Sequence, residues 1–251
     1  MWTSGCTVLI LAAVAHAQNG LPSYIKPCAR SDPNFNACAL DHAKKALHDF
    51  LKGDSNFKIP TMDPLEISQM VVNEGNKRNG YTLTMKNVKM YGLMGAQLRK
   101  TDYDFNRRHV LYDTQVPRLE ILSEYEISGK MLILPVSGKG DLNITLGDNR
   151  LTFSHDYVLK NIKGVDYMKT VNPKTSVEPK QIHIKMTGLF NNDQTLGTQM
   201  SKFIQENSRE VYDTMSPGIF EAFAQAIGAI VDKIARAMSF QDAFPEHLPH
   251  N

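Results

Sequence analysis

The chain has 251 residues, 42% apolar, 22% charged and 8% aromatic, which excludes disorder, collagen and coiled-coil arrays as whole-chain descriptions. Lys plus Arg total 28 against 26 Asp plus Glu, a formal charge of +2. So small a charge makes no general case for nucleic acid or an anionic membrane as partner.

Val8 to Ala15 is an unbroken apolar run leading into Ala15-His16-Ala17, which has the length of a signal-peptide core and small residues at positions −3 and −1. The run is too short for ~30 Å of hydrocarbon, and no later run reaches ~18 apolar residues, so stable membrane insertion is not expected. Residues 1–17 therefore read as a secretion signal removed after Ala17, and residues 18–251 as one extracellular domain. Removal takes Cys6 away and leaves Cys28 and Cys38, which have one possible pairing in an oxidising compartment. A disulfide closing that short polar loop stabilises by ~2–3 kcal/mol. A metal site is not expected there, because histidines at ligand spacing are lacking.

Leu40, Ala43, Leu47, Phe50 and Leu51 fall at helical spacing and predict a helix over 37–52, stopped by Gly53. Ile59-Pro60 and Asp63-Pro64 are extended, since each proline biases its predecessor out of the α region. From Tyr81 to about Phe190 the pattern is that of strands. Tyr81, Leu83 and Met85 alternate, and Val88, Met90 and Met94 continue one step out of phase, which predicts a bulge near Asn87. Ile121, Tyr125, Ile127, Met131 and Ile133 share one face; Leu151, Phe153, Tyr157 and Leu159 alternate, as do Ile182, Ile184 and Met186. Turns are expected at Ser128-Gly129, Gly138-Lys139-Gly140 and Gly147-Asp148-Asn149. A long antiparallel meander with one apolar face must cover something. From Thr195 to Ser239 an apolar stripe runs for ~65 Å at ~1.5 Å per residue, with a bend or break expected at Pro217. The fold class is thus α+β, a strongly curved antiparallel sheet rolled around a long C-terminal helix. Asn143-Ile144-Thr145 is a glycosylation sequon.

Catalytic signatures are missing. There is no G-x-S-x-G, no phosphate-binding glycine loop and no H-E-x-x-H. His109 beside Arg107 and Arg108 reads as a solvated strand face, and His247 and His250 as a solvated tail. Carboxylates lie dispersed among basic residues, with no pair marked for acid–base work. Neither an enzyme nor a cofactor is expected.

Several fragments occur together in a characteristic order: Leu21-Pro22, Cys28 and Cys38, Gly53 through Ile59-Pro60, Asp63-Pro64-Leu65, Pro117-Arg118-Leu119, Ile127-Ser128-Gly129-Lys130, Gly138-Lys139-Gly140, Lys202 to Asn207 and Phe240 to Pro245. Across nearly the whole mature chain the sequence resembles the takeout/juvenile-hormone-binding family of secreted insect proteins. With one disulfide and Ser208 where the family often places Trp, it is similar to the takeout-like branch. The resemblance implies a tubular lipid-binding fold and an internal tunnel for one extended apolar ligand; the chain is expected to be a monomer. Inward-facing positions then supply the candidate lining: Tyr125, Ile127, Met131 and Ile133 from the sheet, with Phe203, Val211, Met215, Ile219 and Phe223 from the helix. Tyr125 would grip a ligand oxygen. A secreted signalling or antimicrobial protein on the same scaffold, or a secreted hydrolase, are the alternatives.

Overall fold

A computed structural model describes residues 21–75, 80–132 and 134–248. The expected signal peptide, Cys6, the new N-terminus at Gln18, Ile133 and His250 lie outside them.

Helix α1 spans Phe35–Lys52 and ends where Gly53, at φ 83°, turns its N–H back to the Phe50 carbonyl. Cys28 is disulfide-bonded to Cys38 in its first turn, so the segment preceding the helix is held against it. The Asp63–Pro64 bond is cis. The Asp63 carboxylate accepts from the backbone N–H groups of Gly92 and Met94, at 3.0 and 2.7 Å, tying this extended segment to the sheet.

Six antiparallel strands follow: β1 (Leu65–Gly75), β2 (Gly80–Tyr91), β3 (Gln97–Asp104), β4 (His109–Met131), β5 (Leu134–Ile162) and β6 (Val165–Met186). Their order is β1-β2-β4-β5-β6, with β3 paired to β4. β2 and β3 share one edge of β4, β2 along residues 120–129 and β3 along 109–115. The gap between them faces Pro117, which has no N–H to donate to a neighbour. At the same point β4 changes phase. Val110, Thr114 and Val116 are buried before the proline, and Leu119, Ile121, Tyr125 and Ile127 after it.

The chain closes with α2 (Gln194–Glu206), α3 (Ser208–Ala237) and the short α4 (Phe240–Ala243). Helix α3 packs against both β1 and β6, the two ends of the strand order. A sheet whose opposite ends touch one helix has to curl around it, as the single apolar face requires. Two phenols fix the helix. Tyr81 Oη donates to the Thr214 carbonyl at 3.1 Å, and Tyr212 Oη to the Val177 carbonyl at 2.6 Å. None of the described helices is long and apolar enough to cross a membrane.

The expected bulge is present, as a register shift between Lys86 and Lys89 with Asn87 at φ 52°. Two expectations need correction. The glycine clusters are not turns: Gly129 lies within β4, and Gly138, Gly140 and Gly147 within β5. A Cβ on Gly129 would lie 2.7 Å from Tyr81 Cα, and one on Gly138 would lie 2.8 Å from Leu189 Cα. These glycines let backbones approach closely rather than reverse the chain. The helix also breaks at Asn207, not Pro217. Asn207 donates its side-chain amide to the Phe203 carbonyl at 2.8 Å and so competes with the next helical turn. Pro217 lies on the solvent side, where the Asp213 carbonyl that it leaves without an N–H partner can be hydrated.

Candidate functional site

Between α1, the C-terminal half of α3 and the ends of β3, β4 and β5 lies a cavity of about 330 Å³, within the ~300–1,000 Å³ of small-molecule sites. One face of α1 lines it at helical spacing: Ala39, His42, Ala43, Ala46, Leu47 and Phe50. From α3 come Ile227, Val231, Ile234 and Ala235, again one stripe. Leu98, Tyr103, Tyr112, Thr114, Phe153 and Met168 form the sheet wall, and Phe240 and Phe244 close one end. The segment held by the disulfide adds Leu21, Ile25, Lys26, Pro27 and Cys28.

The cavity exists because its walls are small where they face each other. Ala39, Ala43 and Ala46 occupy positions on α1 where larger side chains would fill the gap. An aromatic cluster joins the start of α1 to β3 and the C-terminal segment: Phe35 meets Phe105 and Tyr103 edge-on at 4.9 and 5.5 Å, and Phe244 packs on Tyr103 at 5.6 Å between centroids. Outside that end, Arg30 stacks over the Phe240 ring at 5.3 Å and donates to the Phe244 carbonyl at 2.6 Å, clamping the C-terminal segment.

Polar groups on the wall are few. Tyr103 and Tyr112 Oη lie 2.7 Å apart. Burial pushes both phenols above their ordinary range, Tyr103 well above it, where the neighbouring Tyr112 adds to the effect. His42 Nδ1 donates to the Lys26 carbonyl at 3.0 Å and lies 3.4 Å from Cys28 Sγ. Cys28, Cys38 and His42 thus converge, a closeness that the sequence reading missed although His42 lies one helical turn beyond Cys38. With the sulfurs bonded to each other, the cluster has no thiolate to offer a cation.

The residues expected to line a tunnel lie elsewhere. Ile127, Met131, Val211, Met215, Ile219 and Phe223 are packed in the main core. Of these, Met215 and Ile219 border a void of about 10 Å³ with Ile121, Ile144, Ile184, Tyr212, Ser216 and Phe220, too small for more than about one water. Phe203 is half-buried against that core. Tyr125 Oη donates to the Thr187 carbonyl at 2.6 Å. None of these eight borders the larger cavity. The sequon residue Asn143 lies on the outer face of β5, its amide donating to Glu120 at 3.0 Å.

A second polar group lies behind the cavity wall. His155, only 1% exposed, directs Nδ1–H to the Asp156 carbonyl at 3.2 Å, and its Nε2 has no partner among the described residues. Burial lowers its pKa, which favours the neutral ring. His109, expected on a solvated face, meets the Asp156 carboxylate at 2.8 Å. These groups include no nucleophile held by a base.

A family model described as "Haemolymph juvenile hormone binding protein (JHBP)" matches residues 6–245. The circadian clock-controlled protein daywake of Drosophila melanogaster is 27% identical over 239 residues, covering 91% of this chain and 90% of that protein. Its counterpart in Drosophila yakuba is 25% identical, covering 94% of each chain. The crystal structure of Epiphyas postvittana Takeout 1 superposes with a TM-score of 0.75 at 22% identity, covering 88% of this chain and 100% of that one; the likeness is one of fold.

Proposed function

This chain belongs to the haemolymph juvenile hormone binding protein family, and from that premise we propose that it is a secreted carrier of one extended, lipid-like molecule. The observation that carries the reading is the apolar cavity of about 330 Å³ between α1 and α3. Space of that size, walled by aliphatic and aromatic side chains and without a reactive constellation, is most simply cargo space. Transfer of ligand surface out of water contributes ~25 cal/mol per Å². Several hundred Å² therefore support micromolar affinity or better after the costs of association.

The ligand class is a fatty acid, a terpenoid or a juvenile-hormone-like ester. A ligand longer than the cavity would extend along α3 past Phe223 toward Met215 and Ile219, and the adaptable methionine side chains there suit such an extension.

The test is extraction of the protein secreted by its source tissue, followed by mass spectrometry of the lipid fraction. One apolar species near one molecule per chain is the expected result. Protein that is secreted, folded and lipid-free, and that binds no fatty acid or terpenoid when these are added, would reject the reading.

A further inference from the structure

Tyr103 and Tyr112 both line the cavity, and their hydroxyls, 2.7 Å apart, have no further hydrogen-bond partner among the described residues. Two phenols carry two hydroxyl protons. One bridges the pair, and the other has no acceptor among the described residues, in a wall whose other polar side chains are Thr114, Ser239, His42 and Lys26. A donor left unpaired in such surroundings is unfavourable, and a ligand oxygen at that point relieves it. Resting on the carrier reading above, we propose that the Tyr103–Tyr112 pair is the polar anchor of the cavity, selecting a ligand with a neutral acceptor oxygen, a ketone, ester or ether, partway along an apolar chain.

The geometry supports a neutral oxygen rather than a carboxylate. Among the described residues no cationic side chain hydrogen-bonds to either phenol, and Arg30, which packs on Phe240, has its guanidinium committed to the Phe244 carbonyl, Gln241 and Glu246. Lys26, on the disulfide-held segment, is exposed. A carboxylate beside the phenols would be buried without a counter-charge, whereas a carbonyl needs only the one hydrogen bond on offer. The pair is built by register. Thr101 stands opposite Tyr112 and Tyr103 opposite Val110, which places the two rings diagonally on one face of the β3–β4 hairpin.

The test uses the full mature chain, 2-tridecanone and tridecane as matched probes, and displacement of N-phenyl-1-naphthylamine as readout. Replacing both phenols (Tyr103→Phe with Tyr112→Phe) should weaken 2-tridecanone about fivefold, the usual worth of one hydrogen bond, and leave tridecane unchanged or slightly tighter. Equal effects on the two probes, or none on the ketone, would overturn the anchor while leaving the carrier reading intact. Failure of the wild type to bind either probe would overturn both. A second measurement needs no variant: the carbonyl stretch of carbonyl-labelled 2-tridecanone should move to lower frequency on binding than in hexane. An unshifted band in the complex would overturn the proposal.

Discussion

Tyr125 donates its hydroxyl to the backbone carbonyl of Thr187 across 2.6 Å, joining β4 to the segment that follows β6. Burial raises the pKa of this phenol to about 12, so the proton stays in place under ordinary conditions. Its one hydrogen is committed to the scaffold and is not available to a ligand. Replacing Tyr125 by Phe should therefore lower stability by ~1 kcal/mol, the net value of a hydrogen bond, and leave affinity for apolar ligands unchanged. Urea unfolding beside dye displacement measures both.

Filling the two kinds of interior space separates cavity from core. Ala43→Trp on α1 projects into the cavity of about 330 Å³ and should reduce affinity for long-chain ligands at least tenfold while unfolding stays cooperative. Met215→Trp enters a region 1% exposed, beside a void of about 10 Å³. It should overpack and destabilise by ~1–3 kcal/mol, with no selective loss by chain length for ligands that fit within the cavity. Graded-length displacement assays paired with thermal unfolding check the contrast.

The disulfide holds part of the cavity wall, because Cys28 and the four lining residues before it belong to a segment anchored to α1 at Cys38. Replacing both cysteines by serine should cost ~2–3 kcal/mol by restoring loop freedom to the unfolded chain. Ligand affinity should fall as well, since residues 21–27 would no longer be fixed over the cavity. Denaturant midpoints and dissociation rates of a bound fluorescent fatty acid measure the two effects.

His155 sets an acid limit on stability. The groups that bear on it are His109 and Asp156 from the sheet and Asp232 from α3, with burial dominant. Because the folded pKa lies below the unfolded value of ~6.5, the unfolded chain binds more protons in the interval between them. Stability is therefore complete above ~6.5 and is lost as pH falls through the folded pKa, at no more than ~1.4 kcal/mol per pH unit. His155→Leu should flatten this part of the profile. Asp156, whose pKa is lowered by hydrogen bonds from His109 and Asn172, contributes its own loss only below ~3.9. Thermal unfolding at a series of pH values between 7 and 3 resolves the two intervals.

Much of the fold was legible in the sequence because it depends on period. The Asn87 bulge, the alternation of Ile121, Tyr125 and Ile127, and the stripe from Met200 to Met238 are written in apolar spacing, although Leu196, expected at the head of that stripe, is exposed. The cavity was not, because period says which residues face inward and not whether anything meets them. Met215 and Ala43 both face inward, yet one is packed and the other borders open space. The signal available was the set of small residues at Ala39, Ala43 and Ala46 on one helical face. The anchor phenols were hidden by Pro117, where the inward phase of β4 changes, so an alternation read back from Tyr125 puts Tyr112 outside. Glycine misled for a related reason: Gly129 and Gly138 serve close backbone approach, which a residue-by-residue reading does not distinguish from a turn.

The most direct measurement of where the ligand sits is a methyl NMR titration of delipidated protein, labelled at methionine and isoleucine methyl groups, with 2-tridecanone. The account predicts saturation at one equivalent, with shifts at Met168, Met238, Ile227 and Ile234, which border the cavity, and unchanged signals from Met131, Ile127 and Ile121, which do not. Shifts centred on those core methyl groups instead, or no saturable change in folded protein, would contradict it.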